Sequence, residues 1–501
     1  MSYLEKSDPE TFQDYLKDAS NFSGKAEKVF LPQTENDIVS ILKKASAERK
    51  PVTVTGSRTG LTGGAIPRKG WIISLERLQA IGKIKLLGSA AQPSAGEAEI
   101  VVESGTLLND LHNVVEKAGW LYAPDPTERN AALGGTIATN ASGARYYKYG
   151  STRHYVKALR VVLADGNILE IKRGSLCSRK DGRFSIPLGG KSLEGSLPTY
   201  TMPKVKNAAG YFVAPEMDII DLIIGSEGTL GVITQATLRL IHPPEKLVAG
   251  IAFFENEEAA WSLVVQLAPF LDEQNPFLDV RALEYFDEPS LNFLRPKYSN
   301  IPKKEKVAIW YELETSSKRE AEILEAWASE LQKSSALGES WFGETAKEQT
   351  LFREFRHALP VAVNEKVTQN GFRKVATDFA VPLQALPNMM KSYSGLSEKH
   401  KIPYVVFGHI GNGHLHWNLL PENKSDFEVS WEIVKEAAGE AIEFGGTVSA
   451  EHGIGKVKIP FLRMLYGDKG LSEMAGLKKV FDPTGLLGRG TMFPEDLLPP
   501  L

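Results

Sequence analysis

The residues best suited to chemistry lie in two short runs. Residues 408–418 read Gly-His-Ile-Gly-Asn-Gly-His-Leu-His-Trp-Asn and hold three of the chain's nine histidines. Residues 449–455 read Ser-Ala-Glu-His-Gly-Ile-Gly. His409 and His416 are seven apart, with Gly411 and Gly413 between them to let the chain bend, so a strand–turn–strand would bring both imidazoles toward one point. With Glu451 they form a donor set of two imidazoles and a carboxylate. That set suits Zn²⁺ or Mn²⁺ and leaves coordination positions open. The metal would act as a Lewis acid. His452 beside it has the ordinary pKa of a general base. A packed core or a solvated loop accounts for one such histidine, not for His409, His416, Glu451 and His452 together. The two runs are read as halves of one active site.

The elements that must hold these residues follow from periodicity. An apolar run at 404–407 supplies a strand into the first cluster. Far upstream, a β-branched strand at 52–55 leads into Gly-Ser-Arg-Thr-Gly-Leu-Thr-Gly-Gly-Ala at 56–65. Four glycines interleaved with hydroxyls suit a loop that turns backbone N–H groups toward an anion. No Lys-Ser/Thr closes it as a Walker loop would, and Gly189-Gly190-Lys191-Ser192 lacks that motif's first glycine. The Gly-x-Gly-x-x-Gly fingerprint is absent from the loop, so NAD is not expected. Residues 124–145 are small, hydroxylated and glycine-rich, as they would be where a large flat ligand lies against backbone.

Between these landmarks the chain reads as alternating helices and strands. Helices are expected over 10–26, from Thr34 as N-cap to 47, and over 107–118 opened by Thr106. Strands are expected at 71–75, 100–103, 158–163, 168–171 and 232–240. Residues 172–206 are polar and basic without a clear period. They read as a solvated excursion, with docking to an acidic partner or anionic lipid as the alternative. Pro243-Pro244 marks a boundary, beyond which come strands at 248–254 and 307–313 and helices at 257–270 and 317–331. The segment from 460 to the end is helical and then proline-rich.

Composition excludes several classes. At 501 residues the chain is too long for one ordinary core. A net charge of −4 argues against a nucleic-acid partner. The single cysteine, Cys177, excludes an internal disulfide or an iron–sulfur cluster carried by this chain alone and favours a reducing compartment. The charged N-terminus does not read as a secretory signal, and no apolar run reaches the ~20 residues a membrane span needs. The expected location is the cytoplasm, with peripheral attachment to the inner face of the membrane as the alternative.

Five motifs in order carry a resemblance: the 55–64 loop, the 124–145 run, Gly-Ser-Glu-Gly-Thr-Leu-Gly at 225–231, Gly-His-x-Gly-x-Gly-x-x-His at 408–416, and Glu-His-Gly-x-Gly at 451–455. Together they resemble the FAD-linked D-2-hydroxy-acid dehydrogenases, a vanillyl-alcohol-oxidase-type flavoprotein group that includes the FAD-binding polypeptide of glycolate oxidase and D-lactate dehydrogenase. The resemblance implies an α+β protein with a two-subdomain FAD-binding domain (28–244, after a lead-in at 1–27). It also implies a cap of antiparallel sheet and helices (245–459), and a C-terminal segment (460–501) that returns to the FAD domain. It places Thr55, Gly56, Ser57, Arg58, Thr59, Gly60, Leu61, Thr62, Gly63 and Gly64 around the FAD pyrophosphate. Pro124, Asp125, Thr127, Leu133, Gly134, Gly135, Ala138, Thr139, Asn140, Ser142 and Gly143 would line the flavin, joined by Glu227 and Gly228. Val232 and Ile233 would lie at the adenine end. No suitable histidine or cysteine is present in these loops, so the FAD would be non-covalent.

The resemblance assigns the metal to His409, His416 and Glu451, the base to His452, the carboxylate clamp to Arg356, and a polar contact to Asn418. Lys374 would add a second cation. It implies oxidation of a small D-2-hydroxy acid, D-lactate or glycolate, with electrons passed to a quinone, cytochrome or electron-transfer flavoprotein. A subunit that binds FAD within a larger complex and a D-2-hydroxyglutarate dehydrogenase are the alternatives, and a homodimer is admitted. An alkyl-dihydroxyacetone-phosphate synthase-like enzyme ranks lower, because its relatives carry a histidine run where this chain has Glu451-His452. His414 and Asn412 depart from the family pattern, which has Asn and Asp there, and receive no role.

Overall fold

The computed structural model describes residues 3–87, 97–268, 277–336 and 338–501. Among the described residues, three main sheets carry the architecture. A four-stranded sheet has the order Leu4–Lys6, Lys28–Leu31, Trp71–Ser74, Val52–Thr55, with the last three strands parallel. The helix Glu35–Ala47 covers it, burying Ile38, Ile41 and Leu42. Thr34 accepts from the Asp37 N–H and Asp37 reaches back to the cap backbone, a reciprocal capping box that satisfies two otherwise unpaired donors.

A five-stranded antiparallel sheet follows, ordered Lys85–Leu87, Glu97–Glu103, Val232–Leu240, Val156–Val162, Ile168–Lys172. Val232–Leu240 alternates buried and half-buried residues along most of its length, as expected for a strand with one face on the core. The third sheet is seven-stranded and antiparallel. Its centre is Lys246–Phe254, Val307–Thr315 and Asp279–Phe286, and it continues through Tyr404–His409 and His414–Leu419 to Val375–Ala376. Val307–Thr315 is buried along its whole length because helices cover it on both faces. The helix Ile459–Phe481 leads back to the first sheet. There the Val52 N–H donates to Leu486 and the Gly488 N–H to the Val52 carbonyl, so the C-terminal segment flanks the strand that feeds the glycine loop.

Several expectations change. The N-terminal helix is only a 3₁₀ stretch, Pro9–Leu16, with a non-helical residue, Phe12, inside it. The helix expected from Thr106 starts one residue later and has no side-chain cap. The end of the 257–270 helix falls outside the described residues, and its described part is Glu257–Leu267. The segment 172–206 is not a plain solvated loop. It holds an antiparallel hairpin, Arg183–Leu188 with Lys191–Ser196, whose Phe184 and Ile186 are buried. Only every second residue of that hairpin turns inward, which left its polar sequence without an apolar signal. Among the described residues no helix is long and apolar enough to cross a membrane.

Candidate active site

The glycine loop, the small-residue run and the cap sheet enclose one cavity of about 870 Å³, toward the large end of small-molecule sites (roughly 300–1,000 Å³). Thr55, Gly56, Ser57, Arg58, Thr59, Gly60, Leu61, Thr62 and Gly64 line it, with Thr127, Gly134, Gly135, Ala138, Thr139, Ser142, Glu227, Gly228 and Ile233. Two buried hydroxyls in its wall, Thr55 Oγ1 and Ser104 Oγ, have no hydrogen-bond partner among the described residues. Among the described residues beyond its own turn, nothing lies within 4 Å of where a Cβ on Gly135 would project. Unpaired donors and open backbone in one large cavity fit a large polar cofactor such as FAD.

Seven of the expected cofactor residues do not line the cavity. Leu133 and Val232 turn into apolar cores, Val232 because it alternates with the cavity-facing Ile233. Asp125 is drawn off by Arg129 and Arg145 at 2.8 and 3.1 Å. Gly143 packs so closely on Asp125 that a Cβ would meet its carbonyl oxygen at 2.1 Å. Asn140 accepts from the Arg153 N–H, and Gly63 sits on Phe22. Pro124 also lies outside the lining.

The histidine cluster arises from hairpin register. Phe407 pairs with His416 and His409 with His414. Positions 407, 409, 414 and 416 therefore share one face of the sheet. The bend is possible because Gly413 has φ +62°, where a Cβ would sit 1.9 Å from the Val381 carbonyl oxygen. His409 Nε2 and His416 Nε2 stand 3.4 and 3.5 Å from Glu451 Oε1. His409, His414, His416 and Glu451 all offer ligand atoms within 4.8 Å of one another. His409 Nδ1 is 2.5 Å from Glu284 Oε1, and His416 Nδ1–H donates to the Thr377 carbonyl at 2.9 Å. Each second nitrogen is thus occupied and each Nε2 lone pair is left toward Glu451, the arrangement in which histidines ligate metal. The donor set fits a divalent ion.

Glu451 arrives on a loop that rests on the glycine loop. Gly455 has φ +53°, and a Cβ there would lie 2.1 Å from the Thr62 carbonyl oxygen. The Lys456 N–H donates to that same carbonyl, and its ammonium donates to the Gly63 and Gly64 carbonyls. From the glycine-spaced run at 225–231, Glu227 accepts the Ile454 and Gly455 N–H groups, each at 2.7 Å. Burial raises its pKa to about 7.

Asp378, which the sequence did not mark, is the hub beneath His452. It accepts the backbone N–H of His452 at 3.0 Å and of Glu451 at 3.3 Å, the Ser449 hydroxyl at 2.8 Å and the Lys458 ammonium at 2.7 Å. Burial alone would raise its pKa, but His452, Lys458 and His414 hold it well below the carboxylate range. Burial pulls His452 down to about 4, so the imidazole is neutral and can take a proton.

On the other wall, helix Ala346–Gln369 brings Arg356 to the cavity, where its Nε stands 3.2 Å from Glu284 Oε2. Burial would raise the Glu284 carboxyl, but Arg356 and His409 hold it at about 2. Strand Asp279–Phe286 carries Asp279 and Arg281 as well as Glu284, so nothing in its sequence singled Glu284 out. Lys374 lines the same cavity and forms no ion pair among the described residues, and burial lowers its pKa to about 8. Asn418 donates to the His416 carbonyl and leaves its buried Oδ1 without a hydrogen-bond partner among the described residues. His414 is fully buried, not a surface departure, with Nε2 3.1 Å from Asp378 Oδ1. Lys206, expected in a solvated basic segment, has its ammonium 2.5 Å from Glu451 Oε2.

Comparison with known proteins shows the family. Residues 26–172 match the FAD binding domain model, and residues 243–492 match the model of the C-terminal domain of FAD linked oxidases. The chain is 30% identical to the glycolate oxidase subunit GlcD of Bacillus subtilis, over 98% of this chain and 96% of that one. It is 29% identical to a D-lactate dehydrogenase of Anaerostipes hadrus, over 95% and 92%. It is 27% identical to a D-2-hydroxyglutarate dehydrogenase of Xanthomonas citri pv. viticola, over 97% and 94%. A solved alkyldihydroxyacetonephosphate synthase superposes with a TM-score of 0.63 at 15% identity, covering 97% of this chain and 81% of that one, which speaks to the fold alone. The chain belongs to the FAD-linked oxidases, in the group that holds these glycolate, D-lactate and D-2-hydroxyglutarate relatives, and is an FAD-linked oxidoreductase.

Proposed function

We propose that this protein oxidises a small D-2-hydroxy acid, D-lactate or glycolate, to the 2-oxo acid. One observation carries the reading: the glycine loop, Arg356, the His409–His416–Glu451 cluster and His452 all face a single cavity. Bound non-covalently, FAD supplies the acceptor for the C2 hydride. A divalent ion on His409, His416 and Glu451 supplies Lewis acidity toward the substrate hydroxyl.

The chain's own groups do the rest. Arg356, steadied by Glu284, offers a planar fork to the substrate carboxylate. His452, neutral and backed by Asp378, takes the hydroxyl proton. Asn418 Oδ1 offers an acceptor beside the cluster. The apolar wall from Phe286, Phe407 and Pro360 excludes water from the reacting carbon.

Lys374 favours a second reading. A cation without an acidic partner in the same cavity would suit the distal carboxylate of D-2-hydroxyglutarate. Anaerobic bleaching of the protein-bound flavin by a panel of D- and L-2-hydroxy acids tests both. Bleaching by D-lactate or glycolate supports the first, and selective bleaching by D-2-hydroxyglutarate the second. No bleaching by any member sinks the oxidation of 2-hydroxy acids by this chain alone and favours a subunit that needs a partner, as the name of the Bacillus relative suggests.

A further inference from the structure

Among the described residues, Lys206 is the one lysine or arginine paired with Glu451, and its charge works against a divalent ion there. Its side chain is fully buried. Its ammonium lies 2.5 Å from Glu451 Oε2 and 3.1 Å from His414 Nδ1. An ammonium can only donate, so His414 Nδ1 is the acceptor that Lys206 uses and the ring proton of the neutral imidazole sits on Nε2, which faces Asp378 Oδ1 at 3.1 Å. The ammonium therefore holds two electron-pair donors, one on Glu451 and one on His414, that a divalent ion at this cluster would also draw on. Two cations cannot share these donors without strong repulsion in a buried site.

The side chain also has somewhere to go. Lys206 borders a second, smaller cavity of about 360 Å³, lined too by Tyr146 and Asn412. Asn412 Oδ1 is buried there with no hydrogen-bond partner among the described residues. The Tyr146 ring already lies 5.2 Å from the ammonium and presents a face to it.

We propose that Lys206 is a tethered cation that competes with the divalent ion for Glu451 and His414, and that Asn412 Oδ1 receives its ammonium when the ion binds. The inference rests on the metal site put forward above. Lys206 is a positioning residue: it sets how tightly the cluster binds metal, and His414 becomes a fourth ligand only once the ammonium has left.

The test is metal affinity, measured by chelator competition with Zn²⁺ and with Mn²⁺ on the purified flavoprotein. Lys206→Met should bind about tenfold tighter or better than wild type. Asn412→Leu should bind about three- to tenfold more weakly, and should change nothing when combined with Lys206→Met, because the two residues act through one movement. If Lys206→Met fails to fold, Lys206→Gln removes the charge while keeping a donor for Glu451. Tight binding by a Lys206 variant where wild type binds none also supports the competition. Wild-type binding that the Lys206 variants leave unchanged overturns this inference and spares the metal site. Failure of wild type and variants alike to bind metal overturns both. An Asn412→Leu loss of equal size with and without Lys206 overturns the role of Asn412.

Discussion

The His452 ring and its own backbone rest on one carboxylate: Nδ1 stands 3.5 Å from Asp378 Oδ2, and that same oxygen accepts the His452 backbone N–H at 3.0 Å. One carboxylate thus fixes both the ring and the chain that carries it. Asp378→Asn keeps the shape but removes the charge that steadies an imidazolium. We expect kcat to fall about 10²-fold or more with flavin content unchanged. Steady-state kinetics beside flavin quantitation check this, and near-normal kcat would remove Asp378 from the mechanism.

Arg356 is anchored on Glu284 before any substrate arrives, so its fork is pre-oriented. Lysine keeps the charge but loses the planar pair of donors. Arg356→Lys should lower kcat/KM by about 10- to 100-fold, mostly through KM. A change confined to kcat would mean that the carboxylate is held elsewhere.

The donor geometry of His409, His416 and Glu451 predicts about one divalent ion per chain. Metal analysis of the purified protein should find it, and His409→Ala should lose it while keeping FAD. Chelator treatment should lower activity, with recovery on adding Zn²⁺ or Mn²⁺. Full activity in a metal-free preparation would refute the site.

Glu227, in the glycine-spaced run at 225–231, accepts two backbone N–H groups of the loop that carries Glu451 and His452, and burial raises its pKa from 4.5 to about 7. The native protein therefore holds this proton more tightly than the unfolded chain does. The stabilisation is fully present below pH 4.5 and is lost as pH rises through about 7. Relative to Glu227→Gln, the wild-type unfolding free energy should fall by up to about 1.4 kcal/mol per pH unit across that window and level off above it. Denaturant titrations of both proteins at several pH values read this directly, and a pH-independent difference would contradict it.

Much of the fold was legible because local signals were strong. Val52–Thr55 and Val232–Leu240 were readable from β-branched alternation, and Glu35–Ala47 from Thr34 and its reciprocal partner Asp37. The hairpin Arg183–Leu188 with Lys191–Ser196 was not, because its inward residues are too few to outweigh its charges.

The sequence by itself determined which chemistry was available. Four glycines in one loop, paired histidines across a bend and a Glu-His-Gly run have residue types and spacings that a core does not need, so they stand out without coordinates. What surrounds them was decided only in three dimensions. Glu284, Asp378 and Lys206 lie 125, 73 and 245 positions from the cluster residues they touch. Nothing local distinguishes a buried partner carboxylate or ammonium from a solvated one. Their roles come from burial, which makes an unpaired charge costly and so forces each to find the opposite charge that the fold brings to it.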